Sequence, residues 1–537
     1  MQIEFVGGAG TVTGSSYIIK DKDFTVMVDC GMFQGREELR QRNFLNLIYA
    51  PEEIDILLLT HAHIDHSGLI PKLVKEGFTG KIYATKATAD LCSIMLPDSA
   101  HIQEMDAKWE NRKNKKLGRP LTKPLYSTDD AERAVKQFVP VPYGETIQIH
   151  PRIKVCFRDA GHILGSAFIE MWIEEVGKKP KKIVFSGDLG TKGQAIIRDP
   201  EIIDDANYLL IESTYGNRLH KTKEDTYTEF KNIINESLHG NGNIIIPAFA
   251  IERTQEIIYT LGKMIAAGDI PAFPVYIDSP LAISATEIFR NNPECFDRET
   301  LTMLTFGQSP LDFNTLNFVQ STEESKELNK ISGGAMIIAA SGMCTAGRIK
   351  FHLQENLYKP DSSVIFVGYQ AEGTLGRRLV DGADRVKLYG DDVLVRAKIY
   401  TLGGFSAHAD RDGLREWVAS ITNHDLKVFV VHGEPSASAS FARLLKEDFG
   451  IDAVVPKWGE IIDLDTMKST MASYGSETAA RQYAPVDAEI DELISSLEQI
   501  KTKFRKSRDD NFMIDNTNIQ ENVQDIKALI AAIKDSL

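Results

Sequence analysis

The segment THAHIDHSG at residues 60–68 carries the strongest signal in this chain of 537 residues. A chance arrangement of the 12 histidines would produce the pattern H-x-H-x-D-H in on the order of one such chain in a few thousand. His61 and His63 lie two positions apart, so in an extended segment both imidazoles point to the same side and can bind one cation. Asp65 and His66 follow directly and are placed to reach a second ion. We therefore predict a metal site in this segment.

The residues before this segment are typical of a sheet-rich α/β domain. Short apolar runs separated by glycine predict strands at Gln2 to Val6, Ser16 to Ile19, Phe24 to Val28 and Ile54 to Leu59. The last run is apolar on both faces, which indicates a buried strand that ends at the histidine segment. A polar loop that merely contains histidines is the weaker alternative, because it would leave three imidazoles without partners after a buried strand.

Isolated histidine and aspartate residues at other predicted strand ends supply further candidate ligands. They are His162 in DAGHILG (159–165), Asp188 in FSGDLG (185–190) and His432 in VHGE (431–434). Taken singly, each also fits an ordinary loop histidine or turn carboxylate. Two metals need more ligands than residues 60–68 supply, which makes these three candidates. Asp29 also follows a strand, beside glycine, and is better placed to orient a ligand histidine than to bind metal.

The apolar pattern divides the chain into an interrupted first domain, an insertion and a tail. In the middle part, apolar strands alternate with helices, which predicts a parallel, doubly wound sheet. Short strands that end in histidines then return, so the middle part must be an insertion if those histidines join the first site. The predicted bounds are 1–207 and 396–465 for the first domain, 208–395 for the insertion and 466–537 for a helical tail.

Two amphipathic helical patterns fill the predicted tail, one from Val486 and one from Ile519. Thr517 and Gln520 have the spacing of a capping box that would open the second helix. A helical hairpin of this kind either docks on its own chain or contacts another subunit, and the sequence leaves both open.

Composition and charge limit the class of protein. The formal charge of −15, from 61 Lys and Arg against 76 Asp and Glu, argues against nonspecific binding of polyanions. The five cysteines are widely spaced and form no CxxC pair, so we expect them buried and reduced. The N-terminus lacks the features of a signal peptide, and no run reaches the ~18 apolar residues of a membrane span. A soluble, cytoplasmic protein with no membrane partner is expected.

The HxHxDH pattern with the later His, Asp and His resembles the metallo-β-lactamase superfamily, whose fold is an αββα sandwich with metals at one sheet edge. The segments ESTYG (212–216), FSAHAD (405–410) and VHGE (431–434) are similar, in this order, to the three further motifs of the β-CASP group of nucleases. The likeness covers the chain up to about residue 465. Within the group, it is to RNA-processing members, which include polyadenylation-specificity factors. It implies an α/β fold, in which a doubly wound β-CASP domain is inserted into the αββα sandwich and a helical tail follows.

The resemblance also implies roles for individual residues. It implies a first zinc held by His61, His63 and His162, a second held by Asp65, His66 and His432, and Asp188 as the bridge between them. Two cations of this kind lower the pKa of a bridging water and clamp the oxygens of an in-line displacement. His408 would protonate or stabilise the leaving oxygen, with Glu212 orienting it, and Asp65 would help to orient the nucleophile.

Histidine at position 432 resembles RNA-directed members of the group, because DNA-directed members usually carry an aliphatic residue there. The resemblance therefore implies a zinc-dependent ribonuclease that holds RNA between its two domains. The turn ASGMCTAGR (340–348) offers backbone N–H groups and hydroxyls that suit a phosphate, although ordinary helix capping is an alternative. The candidate substrate-binding residues are Ser341, Gly342, Thr345, Arg348, Arg253 and Arg377.

Two other functions stay open at this point. One is a metallo-phosphodiesterase for DNA or another phosphodiester, and the other is an RNA-binding scaffold with a decayed site, against which the intact ligand set argues. The sequence does not separate an endonuclease from a 5′-exonuclease, and it reveals neither the RNA preference nor the physiological target. The resemblance and the tail helices favour a homodimer. The basic run KNKKLGR (113–119) fits a solvated surface better than an RNA contact.

Overall fold

The computed structural model describes residues 1–472, except residues 46, 176, 178 and 372. The predicted tail helices, with Thr517 and Gln520, lie outside the described residues. Strands are present at β1 (Gln2–Phe5), β2 (Tyr17–Asp21), β3 (Phe24–Val28), β4 (Ile56–Leu58), β5 (Lys81–Thr85), β6 (Phe138–Val141), β7 (Thr146–His150), β8 (Ile153–Asp159), β9 (Ala167–Ile173), β10 (Lys181–Phe185), β11 (Tyr208–Glu212), β12 (Ile244–Pro247), β13 (Val275–Ile277), β14 (Leu316–Phe318), β15 (Met336–Ala339), β16 (Ser363–Phe366), β17 (Arg385–Leu388), β18 (Asp391–Leu394), β19 (Lys398–Thr401), β20 (Lys427–Val431), β21 (Glu460–Asp463) and β22 (Ser469–Met471).

The helices connect these strands and cover the sheets. They are α1 (Glu37–Arg42), α2 (Ile64–Ser67), α3 (Ile70–Lys75), α4 (Lys86–Leu117), α5 (Thr128–Val135), α6 (Lys223–His239), α7 (Arg253–Ala267), α8 (Pro280–Arg290), α9 (Arg298–Thr305), α10 (Thr322–Leu328), α11 (Ile349–Asn356), α12 (Leu375–Val380), α13 (Arg411–Ala419) and α14 (Pro435–Phe449). Among the described helices, none combines the length and the apolar character that a bilayer crossing requires.

Two sheets packed face to face form the first domain. One has the strand order β22-β21-β1-β2-β3-β4-β5-β6 and the other β20-β11-β10-β9-β8-β7. Alternate side chains of both sheets point into the space between them and form one apolar layer, in which burial of each large side chain contributes about 1.5–3 kcal/mol. Its largest buried members include Phe5, Phe157, Phe185 and Phe429.

Helices cover the outer face of each sheet. Leu73 of α3 and Leu91 of α4 pack with Leu57 on the outside of the first sheet. Leu414 of α13 and Phe441 of α14 belong to a separate apolar cluster on the outside of the second. These layers are helix, sheet, sheet and helix, which confirms the αββα sandwich.

The inserted domain contains a third sheet in the order β14-β13-β15-β12-β16-β19, whose strands are all parallel. Helix α7 follows β12 and packs on one face, where Ile257 shares a cluster with Ile246. Helix α11 follows β15 and packs on the other face, where Leu353 shares a cluster with Ile337. Helices on both faces of a parallel sheet confirm the doubly wound architecture.

Three of the predicted domain bounds differ from those that the strand pairing gives. Strand β11, placed in the insertion, pairs with β10 and β20 of the sandwich, whereas β19, placed in the sandwich, pairs with β16 of the insertion. Strand β22, placed in the tail, pairs with β21. The insertion thus begins after Glu212 and ends after Thr401 rather than at 208 and 395. A short apolar run has the same appearance in either sheet, so the pattern could not tell which sheet each strand joins.

Candidate metal centre

Strand direction brings the predicted ligands to one edge of the sandwich. In the first sheet, β3 and β4 are parallel. In the second, β8 and β10 are both antiparallel to β9 and so run the same way, and β11 and β20 are parallel to β10. The carboxyl ends of these strands are followed by Asp29 (β3), His61 (β4), His162 (β8), Asp188 (β10) and His432 (β20).

Four side chains form a first group of candidate ligands. Nδ1 of His63 lies 3.2 Å from Nε2 of His61 and 3.2 Å from Nε2 of His162. Oδ2 of Asp188 lies 3.5 Å from Nε2 of His61 and 3.6 Å from Nε2 of His162. Ligands 2.0–2.1 Å from a tetrahedral zinc ion are about 3.3–3.4 Å apart. The spacing of these four atoms therefore matches a zinc tetrahedron.

A second group shares Asp188 with the first. Its other oxygen, Oδ1, lies 3.2 Å from Nε2 of His66 and 3.5 Å from Nε2 of His432. Oδ2 of Asp65 lies 3.9 Å from the same atom of His432. All the predicted ligands therefore meet in one place, and the two oxygens of Asp188 face different groups.

The hydrogen bonding of the cluster tests whether a cation fits it. Nε2 of His66 and Oδ1 of Asp188 are buried, and although they lie 3.2 Å apart, neither makes a hydrogen bond of normal geometry within the described residues. A buried polar atom left in this state costs about 1–3 kcal/mol, whereas a bound cation would satisfy both atoms. Imidazole nitrogens and carboxylate oxygens are also the ligands that zinc takes in proteins. The donor set therefore fits zinc.

Protonation of the cluster suits metal binding. Burial lowers the pKa of His63 and of His432 to about 3, and the pKa of His61 and of His162 falls well below its usual value for the same reason. Burial would raise the pKa of Asp188, but nearby His432 and other histidines hold it well below its usual value. These four imidazoles are neutral and the carboxylate is ionised at neutral pH, as metal ligands must be. Burial opposes the charged form of His66 as well, but Asp188 and Asp29 raise its pKa well above the usual value, so a bound metal ion would displace a proton from this ring.

Asp29 orients two of the histidines from behind. Its carboxylate accepts hydrogen bonds from Nδ1 of His66 at 2.7 Å, from the Thr60 backbone N–H at 2.8 Å and from the Thr60 hydroxyl at 2.9 Å. Because the Thr60 proton points to Asp29, its oxygen accepts from Nδ1 of His61 at 3.0 Å. Both histidines therefore present Nε2 to the cluster. The orienting role predicted for Asp29 requires its contact with His66. No role was predicted for Thr60.

His432 has its own support, which the sequence analysis did not foresee. Its Nδ1 lies 2.6 Å from the Ser15 hydroxyl, although 417 positions separate the two residues. Its φ angle is +44°, a left-handed conformation that a residue other than glycine adopts at a cost of about 1–3 kcal/mol. The backbone N–H of His432 donates to the carbonyl of Gly8 at 2.6 Å and so holds that conformation.

His408 lies at the rim of the cluster beside Glu212. Its Nδ1 is 3.2 Å from Oε1 of Glu212 and 3.9 Å from Oδ2 of Asp188. Burial opposes the charged imidazole, but Glu212 and Asp188 outweigh burial and raise the pKa of His408 to about 9. Glu212 is fully buried and accepts the Leu189 N–H at 2.7 Å. The His408 ring therefore carries a proton at neutral pH, and 21% of its side chain is exposed.

His220 contacts the His408 loop and had no predicted role. Its Nε2 lies 3.0 Å from the carbonyl oxygen of His408, which also accepts the Thr191 hydroxyl at 2.8 Å. The backbone N–H of His220 donates to Asp410 at 3.1 Å. The only sequence signal for this contact is that His220 follows the ESTYG segment closely.

The hydroxyl groups of the candidate phosphate turn, residues 340–348, contact other groups of the same turn. The Ser341 hydroxyl oxygen accepts the Thr345 N–H at 3.1 Å and lies 3.2 Å from the Thr345 hydroxyl. Helix α11 begins after Arg348, and within the described chain Arg348 makes no side-chain capping bond. Nη1 of Arg348 instead donates to Asp278 at 2.6 Å, and Nη2 donates to the Gln320 carbonyl at 2.9 Å. The hydroxyls therefore shape the turn rather than cap the helix, and Arg348 is held within the inserted domain.

The two other candidate arginines differ in setting. Arg253 is buried and pairs with Glu256, and its charge is among those that act on the pKa of His63, so it lies near the metal cluster. Its Nε makes no hydrogen bond to any part of the chain that the structure describes. Arg377 is 43% exposed and its Nε donates to Asp381 at 2.9 Å.

Sequence models of three families match this chain. They are the Metallo-beta-lactamase superfamily at residues 9–122, the Beta-Casp domain at 254–379 and the Zn-dependent metallo-hydrolase RNA specificity domain at 392–456. The first match contains residues 60–68, and the third contains His408 and His432.

Curated proteins are similar along most of their length. Ribonuclease TTHA0252 of Thermus thermophilus is 36% identical over 83% of this chain and 96% of that protein. Transcription termination factor FttA of Methanocaldococcus jannaschii is 30% identical over 85% of this chain and 70% of that protein. FttA of Methanococcus maripaludis is 30% identical over 82% and 68%, respectively.

Proposed function

Because the chain belongs to the β-CASP group of the metallo-β-lactamase superfamily, we propose that it is a metal-dependent ribonuclease that hydrolyses phosphodiester bonds of RNA. The single observation that carries this proposal is the pair of ligand groups that share Asp188. The names of the relatives support RNA as the substrate, since one is called a ribonuclease and others transcription termination factors.

The two groups suit two zinc ions. We assign His61, His63 and His162 to one ion, Asp65, His66 and His432 to the other, and Asp188 to both. When bound, the two ions would supply an activated water nucleophile and neutralise charge on the scissile phosphate. Asp65 is the more exposed carboxylate, at 21% against 1% for Asp188, and we assign it the orientation of that water.

His408 is the proposed general acid. Its Nδ1–H donates to Glu212, which leaves Nε2–H available for the departing ribose oxygen of the substrate. Glu212 fixes the ring, because its own position is set by the Leu189 N–H and by the Thr214 N–H at 3.3 Å. Loss of the leaving oxygen is therefore assisted by a proton held at a defined atom.

The carboxyl edge of the inserted sheet is the proposed RNA-binding side. Strands β12 and β15 are neighbours whose following helices pack on opposite faces, and ligands of open parallel sheets bind in the crevice at such a point. Arg253 follows β12, and Ser341, Gly342 and Thr345 follow β15. We assign phosphate contacts to these four residues and to Arg377, and we assign Arg348 the support of the turn because Asp278 and Gln320 already occupy its nitrogens.

We further propose a cytoplasmic homodimer. All five cysteines fall within the described residues and are free and buried, which suits a reducing compartment.

Analytical ultracentrifugation of the full chain tests the proposed homodimer. A single species at the monomer mass at micromolar concentration would contradict it.

The function is tested with matched RNA and DNA oligonucleotides of one sequence. We expect the zinc-loaded protein to cut the RNA and to leave the DNA intact, because the 2′-OH is the group that distinguishes them. Equal turnover of RNA and DNA would indicate a general phosphodiesterase instead of a ribonuclease. RNA binding without cleavage would indicate a scaffold. Blocking the RNA 5′ end then separates an endonuclease, which still cuts, from a 5′-exonuclease. The His408→Ala variant controls for contaminating nucleases.

A further inference from the structure

Two aromatic rings stand exposed at the carboxyl edge of the inserted sheet. Phe249 follows β12 and is 40% exposed, and Tyr369 follows β16 and is 50% exposed. Strands β12 and β16 are parallel neighbours, so the two rings leave the sheet side by side. Neither ring has a role in the chemistry described above.

Both rings stand on a braced support. Gly342 lies directly under the Phe249 ring, since a Cβ on Gly342 would lie 2.9 Å from Cδ2 of that ring. Buried Gln370 donates from Nε2 to the carbonyls of Gly342 at 3.0 Å and Gly368 at 3.2 Å. This side chain ties the loop after β15 to the loop that carries Tyr369. The Phe249 ring thus packs against a loop that is hydrogen-bonded to the one carrying Tyr369, and both side chains are partly open to solvent.

The loop that carries Phe249 contacts the loop that carries His162, a candidate metal ligand. Glu252, three positions after Phe249, accepts the backbone N–H of Leu164 at 2.9 Å, and Leu164 lies two positions after His162. Tyr369 directly follows Gly368, where an added Cβ would lie 4.0 Å from Cε2 of Phe249, so its loop runs beside the Phe249 ring. Gly342, which contacts Phe249 and accepts a hydrogen bond from Gln370, also belongs to the proposed phosphate turn. An RNA backbone bound at this turn would thus bring its bases to Phe249 and Tyr369.

We propose that Phe249 and Tyr369 form a stacking platform for unpaired nucleobases beside the bond that is cut. This inference rests on the proposed function and deepens it, because it specifies single-stranded RNA. Every base presents a π face, and stacking on an aromatic side chain contributes about 1–3 kcal/mol per base without sequence preference. A net charge of −15 gives this protein little general attraction for RNA, so uncharged stacking contacts supply binding that a basic groove would supply elsewhere.

The test pairs side-chain removal with base removal. The substrates are a single-stranded RNA with a mapped cleavage site and the same RNA with abasic riboses at the positions next to that site. We expect Phe249→Ala and Tyr369→Ala each to lower kcat/KM on the intact RNA about tenfold. On going from intact to abasic RNA, wild-type protein should lose about a hundredfold, each single alanine variant about tenfold, and the double alanine variant little. Tyr369→Phe keeps the ring and should retain the intact-to-abasic ratio of the wild type.

A matched control comes from the same domain. Phe306 is 78% exposed, and we expect Phe306→Ala to leave both rates unchanged. Equal losses by the alanine variants on intact and abasic RNA would overturn the proposal, since that result indicates damage to the fold rather than lost stacking. Cleavage of fully base-paired RNA at the single-stranded rate would also overturn it.

Failure of the ribonuclease proposal gives a different result. If the wild type cuts neither RNA, fluorescence anisotropy of the same labelled oligonucleotides still measures stacking. Weaker binding of the abasic RNA by wild type, and no such difference in the double alanine variant, supports the platform. Identical affinity of the wild type for both RNAs contradicts it.

Discussion

Nδ1 of His408 lies 3.2 Å from Oε1 of Glu212, although 196 positions separate the two residues in the sequence. Glu212 cannot turn away from this contact, because it is fully buried and accepts the Leu189 N–H at 2.7 Å. The pair therefore holds a charged imidazole in one orientation at the rim of the metal cluster. This relationship is the basis of the proposed acid catalysis.

Replacing His408 by alanine should lower kcat for RNA cleavage by about 10²–10⁴-fold, the usual contribution of a positioned general acid. Metal content should stay unchanged, because His408 is not among the assigned ligands, and elemental analysis checks this. Glu212→Gln should act more mildly and move the alkaline limb of the pH–rate profile to lower pH, since removing the carboxylate lowers the pKa of His408. Wild-type cleavage by the His408→Ala variant would remove its assigned role.

Asp29→Asn should weaken zinc binding about 10–100-fold, as measured by competition with a chelator. The carboxylate of Asp29 accepts from both His66 and Thr60, and an amide cannot accept at both of its atoms. Ser15→Ala, which removes a single partner from His432, is the matched comparison and should cost less. An unchanged affinity for Asp29→Asn would show that the histidines need no support from behind.

His220→Ala should lower kcat by up to about tenfold and leave KM nearly unchanged, because it removes one hydrogen bond to the His408 backbone. Since His220 acts through His408, the double variant should be no slower than His408→Ala alone. Steady-state kinetics of the four proteins gives this coupling. Additive losses would mean that His220 acts independently.

Glu252 predicts a pH-dependent stability. It is 2% exposed, its Oε2 accepts the Leu164 N–H at 2.9 Å, and burial raises its pKa to about 8. The folded protein therefore keeps a proton that the unfolded chain releases near pH 4.5. The stability that protonated Glu252 contributes to the folded protein is fully present below pH 4.5. It is lost as the pH rises to about 8, because the unfolded chain releases the proton first.

Urea unfolding at pH 5 and pH 8.5 tests this against Glu252→Gln, which keeps an acceptor and does not titrate. The wild type should lose more stability between these pH values than the variant, by on the order of 1–3 kcal/mol. Equal pH dependence of the two proteins would assign the proton elsewhere.

The resemblance of the motifs to a known family implied the sandwich, whereas local apolar patterns predicted the doubly wound parallel sheet and the strand ends that carry the candidate ligands. Residues 60–68 place four candidate ligands within one short segment, and each remaining candidate lies within three positions of the end of an apolar strand. Parallel strands then bring those loops together without any further information. The predicted strand at Phe24 to Val28 agrees in both bounds with β3.

The supporting contacts could not be predicted because they join residues that are distant in sequence and ordinary in type. Ser15 reaches His432 across 417 positions, and nothing in its neighbourhood marks it. The engagement of Arg348 by Asp278 likewise depends on how the loops after β13 and β15 meet. Patterns along the chain identify groups that carry chemistry, whereas tertiary packing decides which of them remain available.

Asp188, whose two oxygens face different groups of candidate ligands, gives the most direct test of the proposed two-metal ribonuclease. Zinc content and RNA cleavage are measured on the same preparations of wild type, chelator-stripped wild type and Asp188→Asn. We predict about two zinc ions per chain and cleavage for the wild type, no cleavage after stripping until zinc is restored, and loss of both properties in Asp188→Asn. RNA cleavage at the wild-type rate by the stripped protein or by Asp188→Asn would contradict the two-metal ribonuclease.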